Sequence, residues 1–251
     1  MRLFRMGEIA DAIGGRIISG NENGQVVRVS KDSREVTGDT VFFALVGKNH
    51  DAHSFLPQVL AGGCVNWVVS SASSVSFKGA EQANIILVDD TQEALIALAV
   101  FVLKEMNAVK IGVTGSVGKT STKDMIHAVC SQKFVTGKTH ANLNTNIGIA
   151  MCVLDFDPET KVAVLEMGTD HPGEIDRVVQ VFRPHIGLIT NIGQSHLEHF
   201  GTRAGIFQAK MEIANYLNQN DLLIIQKGQD YLQKDNIEAP CRIWSVGTGD
   251  D

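Results

Sequence analysis

The sequence lacks long apolar runs and clusters of basic residues. Its longest apolar run, Ala94 to Leu103, is far below the roughly 20 residues that a helix needs to cross a bilayer. The 22 basic and 28 acidic residues give a net charge of −6, without a stretch rich in lysine and arginine. Such a chain has no electrostatic footprint for nucleic acid or for an anionic membrane, so neither is expected as a partner.

Cysteine pairs and secretion signals are also missing. The four cysteines form no CxxC pair, so their spacing supports neither a zinc site nor a disulfide framework, and buried thiols are expected. The N-terminal stretch MRLFRMGEIADAIGG lacks an apolar core followed by a small-residue cleavage site. We therefore expect a cytoplasmic protein, and we expect it to be a monomer.

Two patterns of apolar residues meet near residue 89. Before it, short β-rich runs are separated by Gly, Asn, Asp and Ser clusters that are typical of turns. These runs are Val26 to Ser30, Thr40 to Leu45, Trp67 to Ser70 and Ile85 to Val88. Together with a helix over 55–61, they predict a small α+β domain over 1–88.

After residue 89 the apolar residues first recur at helical spacing, and strand-length apolar runs then alternate with helical stretches. Leu95, Leu98 and Val102 follow Thr91 at helical spacing, which predicts a helix with Thr91 as its N-cap. Strand-length apolar runs at 110–114, 162–167, 186–191 and 222–225 then alternate with helical stretches at 118–132, 173–182 and 203–217. Strands that are apolar on both faces and separated by helices predict a doubly wound, mostly parallel α/β sheet over 89–251.

The clearest chemical motif is a glycine-rich turn between a strand and a helix, IGVTGSVGKTSTKDMI at 111–126. Backbone N–H groups in such a turn, together with the helix N-terminus, form a cradle for phosphates. Lys119 would reach the β- and γ-phosphates, and the Thr120 hydroxyl would bind Mg²⁺. Val113 stands where the strict pattern has its first glycine, so the loop is a variant. The predicted ATP- or GTP-binding residues are Thr114, Gly115, Ser116, Val117, Gly118, Lys119, Thr120 and Ser121; the alternative is a chance Gly-Lys-Thr at a helix start.

Polar residues also follow two further strands. Glu166 ends the run VAVLE, where it could hold a metal beside the phosphate loop or simply cap the chain locally. The stretch ITNIGQSHLEHF brings Asn191 and His196 to the end of a third strand. His196 is favoured as a site residue, whereas His199 is expected to be exposed, since the two histidines do not match the HExxH zinc signature.

Lys210 interrupts an apolar stripe. It lies three residues after Phe207 and four before Ala214 on the predicted helix 203–217. Burial lowers the pKa of a lysine, and a neutral amine can react with carbonyl compounds or carbon dioxide. The alternative is a lysine that snorkels to solvent. Earlier in the sequence, the amide-rich loop HANLNTNIG at 140–148 either binds a polar substrate or merely turns the chain.

Together these stretches resemble the Mur ligases, the ATP-dependent amide-forming enzymes of peptidoglycan assembly. The first matching block is similar to the domain that holds the UDP-sugar in two members, and the later motifs are similar to the member that adds a dipeptide. The matching stretches, in order, are DSREVTGDTVFFALVGKNHDAHSF at 32–55, VDDTQEALIALA at 88–99, TGSVGKTSTKDM at 114–125, NLNTNIG at 142–148, LEMGTDHPGEI at 165–175, TNIGQSHLEHFG at 190–201 and AKMEI at 209–213.

The resemblance implies a reaction and a set of site residues. It implies that ATP and Mg²⁺ activate UDP-N-acetylmuramoyl-tripeptide as an acyl phosphate, which then forms an amide bond with D-Ala-D-Ala. It assigns Lys119 to the phosphates, Thr120 to a first Mg²⁺, and Glu166 and His196 to a second; Lys210 corresponds to the family's carbamylated lysine. Ser33, Arg34, Asn49 and His50 match the region that contacts the uridine nucleotide, and Asn144 and Asn146 match the loop near the reacting carboxylate. Asn191 belongs to the implied nucleotide site.

The resemblance also implies a limit. Full-length Mur ligases carry a third, C-terminal domain that completes the nucleotide site, so the second domain of this chain is expected to be truncated. The alternatives are a non-catalytic fragment that binds nucleotide or UDP-substrate, and the sister ligase that adds the third residue. A folate-polyglutamating ligase is a further alternative, against which the block at 32–55 argues.

Overall fold

The computed structural model describes residues 2–47, 50–70, 81–195 and 197–247. The chain divides into two compact units, Met1–Glu105 with Val153–Pro158 and Met106–Cys152 with Glu159–Asp251. The first unit therefore takes in the helix that follows residue 88, which the sequence prediction assigned to the second domain. Within the described ranges, no helix is both long enough and apolar enough to cross a membrane.

The first unit is built on a mixed sheet. Its elements in chain order are β1 (Phe4–Arg5), α1 (Met6–Ile13), β2 (Arg16–Ser19), β3 (Gln25–Val26), β4 (Arg28–Ser30), β5 (Thr40–Phe43), α2 (Leu56–Ala61), β6 (Asn66–Ser70), β7 (Asn84–Val88) and α3 (Thr91–Met106). Five strands form the sheet in the order β2-β7-β6-β5-β4, in which β2 is antiparallel to β7 and the other neighbours are parallel. Strands β1 and β3 form a separate antiparallel pair.

The core of the first unit explains why the short β-rich runs become strands. Phe42, Trp67 and Ile85 are buried in one apolar cluster on three neighbouring strands. The predicted helix from Thr91 is confirmed, but its cap is not Thr91. The Asp90 carboxylate accepts the N–H groups of Gln92 and Glu93, whereas the Thr91 hydroxyl donates to the carbonyl of residue 44. Asp90 caps the helix in place of Thr91 because its carboxylate reaches two free N–H groups of the first turn.

The second unit contains the predicted parallel sheet. Its elements are β8 (Val109–Thr114), α4 (Lys119–Cys130), β9 (Thr136–Lys138), α5 (Asn146–Leu154), β10 (Val162–Glu166), α6 (Glu174–Phe182), β11 (Ile186–Ile189), α7 (Leu197–Phe200), α8 (Arg203–Met211), β12 (Leu222–Gln226) and β13 (Arg242–Val246). The strand order is β13-β12-β11-β8-β10-β9, and all neighbours are parallel. The predicted α/β class is thereby confirmed.

Apolar patterning also accounts for the elements of this unit. All five residues of β10 are buried, as expected for a central parallel strand. Helix α6 buries Ile175, Val178, Val179 and Phe182, which recur at helical spacing. The predicted helix over 203–217 is shorter as an α-helix: α8 ends at Met211 and the chain continues as a 3₁₀ turn over Glu212–Ala214.

The sheet topology creates a crevice at the ends of its central strands. Strand β8 lies between β10 and β11. The chain passes from β8 to β9 and β10 on one side of it, and then crosses to β11, β12 and β13 on the other side. The register pairs Glu166 with Val113, and Ile189 with Thr114, which brings the carboxyl ends of β8, β10 and β11 to one edge. In open α/β sheets ligands bind at such a switch point, so this edge is the expected position of a functional site.

Candidate functional site

The glycine-rich loop 115–118 connects β8 to α4 and depends on two glycines. Gly115 has φ +145° and Gly118 has φ +82°, values that side chains disfavour. A Cβ atom on Gly115 would lie 1.8 Å from Oγ1 of Thr190, so no larger residue fits without displacing the neighbouring segment. The loop therefore brings its backbone close to the end of β11 and opens into the N-terminus of α4, the geometry of an anion cradle.

Residues 190–193 hold this loop in place. The side-chain amide of Asn191 donates to the Val117 carbonyl and accepts from the Val117 N–H, both at 3.0 Å. The Thr190 hydroxyl donates to the same carbonyl at 2.6 Å, and the Gly193 N–H donates to Oγ of Ser116 at 2.8 Å. Asn191, predicted as a nucleotide-binding residue, thus contacts the loop peptide itself and fixes the shape of the cradle.

The motif residues after the loop point into the crevice. Lys119 is half-buried, and its Nζ donates to the Gly115 carbonyl at 2.9 Å. Burial lowers the pKa of Lys119, although the negative charges of Glu166 and Asp170 act to raise it. The Thr120 hydroxyl donates to Oε2 of Glu166 at 2.9 Å, so these two predicted metal ligands are brought together. Ser121 is exposed on the first turn of α4, and Thr114 is buried with its hydroxyl unpartnered among the described residues.

These two oxygens suit a magnesium ion. Mg²⁺ prefers octahedral oxygen ligands at about 2.0–2.1 Å, which places adjacent ligands about 3 Å apart. Thr120 Oγ1 and Glu166 Oε2 have that separation, and Glu166 is held by its N–H, which donates to Oγ1 of Thr139 at 2.9 Å. His196 lies outside the described residues. Across the described part of the chain, no group of three or more His, Cys, Asp or Glu residues is placed to hold a metal ion.

A buried lysine that the sequence prediction missed lies behind this pair. Lys123 on α4 is 2% exposed, and its Nζ is 3.5 Å from Oε2 of Glu166, which is itself 3% exposed. The motif held a usable signal, because Lys123 follows Lys119 by four residues and Thr120 by three, the spacings that share one helix face. Two lysines of α4 therefore face the crevice rather than one.

Lys210 is buried at the same site. It is 2% exposed on α8, so it does not snorkel to solvent as the alternative interpretation expected. Burial, together with the positive charge of Lys119, lowers the pKa of Lys210 to about 8, and the carboxylates of Asp170 and Glu212 act in the opposite direction. A substantial fraction of this amine is therefore neutral near pH 8, which makes it reactive.

The loop between β10 and α6 is fixed by two carboxylates that the sequence prediction did not use. Glu174 accepts the N–H groups of Asp170 and His171 at 2.7 and 3.0 Å. Although burial raises its pKa, these hydrogen bonds lower the pKa of Glu174 overall. Glu212, two residues after Lys210, accepts the N–H groups of Gly173 and Asp176 at 2.7 and 3.0 Å. These contacts tie the loop to the segment that carries Lys210.

Two clefts open beside the phosphate loop within the second unit. One, of about 310 Å³, is lined by Lys119, Asn142, Asn144, Thr145, Gly168, Thr169, Asp170 and Glu174. It contains the predicted Asn144 but not Asn146, whose side-chain oxygen is buried without a partner among the described residues. The second, of about 540 Å³, is lined by Val117, Gly118, Thr122, Leu188, Ile189, Thr190, Asn191, Ile224, Ile225, Gln226 and Val246. The first cleft is polar, and the second has mostly apolar walls.

His199 is exposed on α7 and contacts another histidine. Its ring lies 4.2 Å from the ring of His171, measured between centroids, at a tilt of 47°. The side chain is 39% exposed, so His199 is exposed as expected.

The predicted uridine-binding residues lie in the first unit. Ser33 donates to the Gln58 side chain at 3.4 Å, and Arg34 forms an ion pair with Asp32 at 2.5 Å. Hydrogen bonds from Arg34 hold the pKa of Asp32 well below its usual range. His50 is exposed, with its carbonyl accepting the Gly47 N–H at 2.8 Å, and Asn49 lies outside the described residues.

Known proteins are similar to this chain in sequence and in structure. The family description "Mur ligase middle domain" matches residues 113–251. The UDP-N-acetylmuramoyl-tripeptide–D-alanyl-D-alanine ligase of Bacillus subtilis is 38% identical over 244 residues, which are 96% of this chain and 52% of that protein. The enzyme of the same name from Escherichia coli is 36% identical over 86% of this chain and 47% of its own length.

Solved structures agree with these relatives. A crystal structure of MurF from Acinetobacter baumannii matches with a TM-score of 0.88 and 31% identity, over 99% of this chain and 54% of that one. The MurF ligase of Thermotoga maritima in complex with ADP matches with a TM-score of 0.76 and 30% identity, over 88% of this chain and 50% of that one. This chain thus spans about half the length of the relatives it matches. With the family match covering more than half of its residues, the chain belongs to the Mur ligase family.

Proposed function

We propose that this chain supplies the ATP- and substrate-binding units of a ligase that joins UDP-N-acetylmuramoyl-tripeptide to D-Ala-D-Ala. The observation that carries the proposal is the phosphate loop with Lys119, Thr120 and Glu166 at the switch point of the sheet. The Thr120–Glu166 hydrogen bond at 2.9 Å and the buried Lys210 support the same site. The relatives of Bacillus subtilis and Escherichia coli carry the name of this reaction.

The phosphates of ATP would lie on loop 114–121, with the backbone N–H groups and the N-terminus of α4 as donors. Lys119 would leave the Gly115 carbonyl and turn to the β- and γ-phosphates, a small movement for a flexible side chain. Thr120 would hold a first Mg²⁺, and Glu166 and His196 would serve a second. Because the Thr120 and Glu166 oxygens lie 2.9 Å apart, Glu166 would also reach the first ion. When bound, these ions would neutralise charge on the transferring phosphoryl group.

The apolar cleft of about 540 Å³ is our candidate for the nucleoside. It begins at Gly118 and Thr122, beside the phosphate cradle, and follows the carboxyl ends of β11, β12 and β13. Apolar walls with a few polar groups are typical of ligand pockets of this size. The ADP bound to the Thermotoga maritima relative supports nucleotide use by this scaffold.

The polar cleft of about 310 Å³ is our candidate for the reacting carboxylate. Asn142 and Asn144 offer amide groups there, and Lys119 offers positive charge. A terminal carboxylate of the UDP-linked peptide would attack the γ-phosphate of ATP, giving an acyl phosphate and ADP. The amine of D-Ala-D-Ala would then attack the acyl carbon, forming the amide and releasing inorganic phosphate.

Lys210 and the first unit complete the proposal. The pKa of about 8 supports reaction of the neutral amine with carbon dioxide to form a carbamate, whose negative charge would help to hold the second Mg²⁺. Ser33, Arg34, Asn49 and His50 would contact the uridine nucleotide. We further propose a cytoplasmic monomer without affinity for nucleic acid, in line with the net charge of −6.

A second candidate is nucleotide and UDP-substrate binding without ligation, because the chain spans about half the length of its relatives. One assay separates the two. The 251-residue chain and the product of the complete reading frame are each mixed with ATP, Mg²⁺, UDP-N-acetylmuramoyl-tripeptide and D-Ala-D-Ala. We expect phosphate release and the pentapeptide product from the complete protein, with little from the 251 residues alone. Absence of product from the complete protein would refute the ligase assignment.

A further inference from the structure

Lys123 is a buried cation for which the proposed reaction has no role. Its Nζ is 3.5 Å from Oε2 of Glu166 and 3.7 Å from Oδ1 of the exposed Asp124. Lys123 and Glu166 are 2% and 3% exposed, so water contributes little to their charge balance. A buried charge is costly unless it is paired, so each of these two groups needs the other in the absence of another ion.

The contact involves the oxygen that would bind the metal. Oε2 of Glu166 accepts the Thr120 hydroxyl at 2.9 Å and also faces the Lys123 ammonium at 3.5 Å. A divalent ion between Thr120 and Glu166 would therefore share its carboxylate ligand with a fixed positive charge. At such distances, repulsion between like charges is strong even at the effective dielectric constant of a protein.

We propose that Lys123 is a built-in counter-ion that positions Glu166 and keeps the Mg²⁺ affinity of the nucleotide-free site low. Mg²⁺ then binds tightly when the phosphates of a nucleotide add their own negative charge. This inference rests on the proposed function for the position of the metal. It assigns Lys123 the part of a positioning residue, since it acts through Glu166 and not on the substrate.

The test measures metal affinity without nucleotide in the 251-residue chain. Mn²⁺ serves as the spectroscopic stand-in for Mg²⁺, and its free concentration is followed by electron paramagnetic resonance. The Lys123→Met variant keeps the apolar part of the side chain and removes the charge. We expect its Mn²⁺ affinity to rise about tenfold or more, because a buried unit charge 3.5 Å from the carboxylate oxygen that would bind the ion is removed.

Lys138→Met is the matched control. Lys138 pairs with Asp124 at 2.9 Å, but its side chain is 28% exposed, so the variant removes the same charge from the same unit in a solvated position. Its Mn²⁺ affinity is expected to stay within about twofold of that of the parent chain, since exposed charges are screened. Equal affinity in all three chains, or an equal gain in both variants, would overturn the proposal.

A double variant keeps the test interpretable if Lys123→Met is destabilised. Lys123→Met leaves Glu166 buried without its partner, so its melting temperature in EDTA is expected to fall and to rise with Mn²⁺ more than that of the parent. Lys123→Met/Glu166→Gln leaves neither charge and is expected to fold and to lose the gain in metal affinity. A gain that persists in the double variant would contradict a role through Glu166. The proposed function is tested by a separate measurement, ADP binding by the parent chain with Mg²⁺. Failure there would refute the proposed function, whereas the Mn²⁺ comparison is made without nucleotide and tests only the role of Lys123.

Discussion

Replacing Lys210 by methionine should stabilise the protein at neutral pH and remove a pH dependence. The pKa of Lys210 is lowered from 10.5 to about 8, chiefly because the side chain is 2% exposed. The unfolded chain therefore binds this proton more strongly than the folded chain does. The destabilisation is fully present below pH 8 and disappears as the pH rises through 10.5.

The magnitude follows from the same shift. A difference of about 2.5 pKa units corresponds to about 3 kcal/mol of unfolding free energy at pH 7, and less than about 1 kcal/mol remains at pH 10. Lys210→Met keeps an unbranched side chain of similar length in the buried position. We therefore expect the variant to be more stable than the parent by about 3 kcal/mol at pH 7 and by less than about 1 kcal/mol at pH 10.

Urea unfolding followed by circular dichroism at both pH values measures this difference. Lys161→Met, a substitution of an exposed lysine in the same unit, serves as the control and should change stability little at either pH. A gain for Lys210→Met that is equal at pH 7 and pH 10, or a loss at pH 7, would refute the reasoning. Direct titration of ¹³C-labelled Lys210 by NMR should give a pKa near 8, and a value near 10.5 would contradict the account at its source.

Three further experiments, two with variants and one with the unchanged chain, test separate parts of the structure. Gly115→Ala should lower the unfolding free energy by about 1–3 kcal/mol and abolish ADP binding in calorimetry, because the new Cβ would lie 1.8 Å from the Thr190 hydroxyl. Gly38→Ala should be tolerated, and ADP affinity retained by Gly115→Ala would contradict the loop geometry. Glu212→Ala should lower the unfolding free energy in urea by about 2 kcal/mol, because the N–H groups of Gly173 and Asp176, at the start of α6, lose a charged acceptor. Glu238→Ala at an exposed position should not, and equal effects of the two variants would disprove this role of Glu212. Burial raises the pKa of Cys64 to about 11, so Cys64 should resist iodoacetamide at pH 8 until urea unfolds the first unit; rapid labelling of the native chain, read by mass spectrometry, would contradict its burial.

Much of the second unit could be predicted from its sequence because its strands are apolar on both faces. β8, β10, β11 and β12 were found from such runs, and the phosphate loop from its glycines. Strand β13 was missed because four of its five residues are exposed, among them Trp244, so it lacks the pattern of a buried strand. Helix α5 was missed because IGIAMCVL is apolar on all sides and has no helical period.

The candidate site was predicted unevenly for a related reason. Lys210 could be found because a charge in an apolar stripe is conspicuous in one dimension. Lys123 and Glu212 could not be found in that way, because their partners Glu166 and Gly173 lie 43 and 39 residues away in sequence, on other elements. The expected roles of Asn49 and His196 fall on residues outside the described part of the chain.

The central claim, that this chain binds a magnesium nucleotide at loop 114–121, is tested most directly by titration calorimetry of ADP into the 251-residue chain with Mg²⁺. We expect one site per chain. Lys119→Ala should weaken its affinity by at least about tenfold, because a charge-assisted contact to phosphate is lost. Absence of binding by the parent chain, or equal affinity in the parent and Lys119→Ala, would contradict the account.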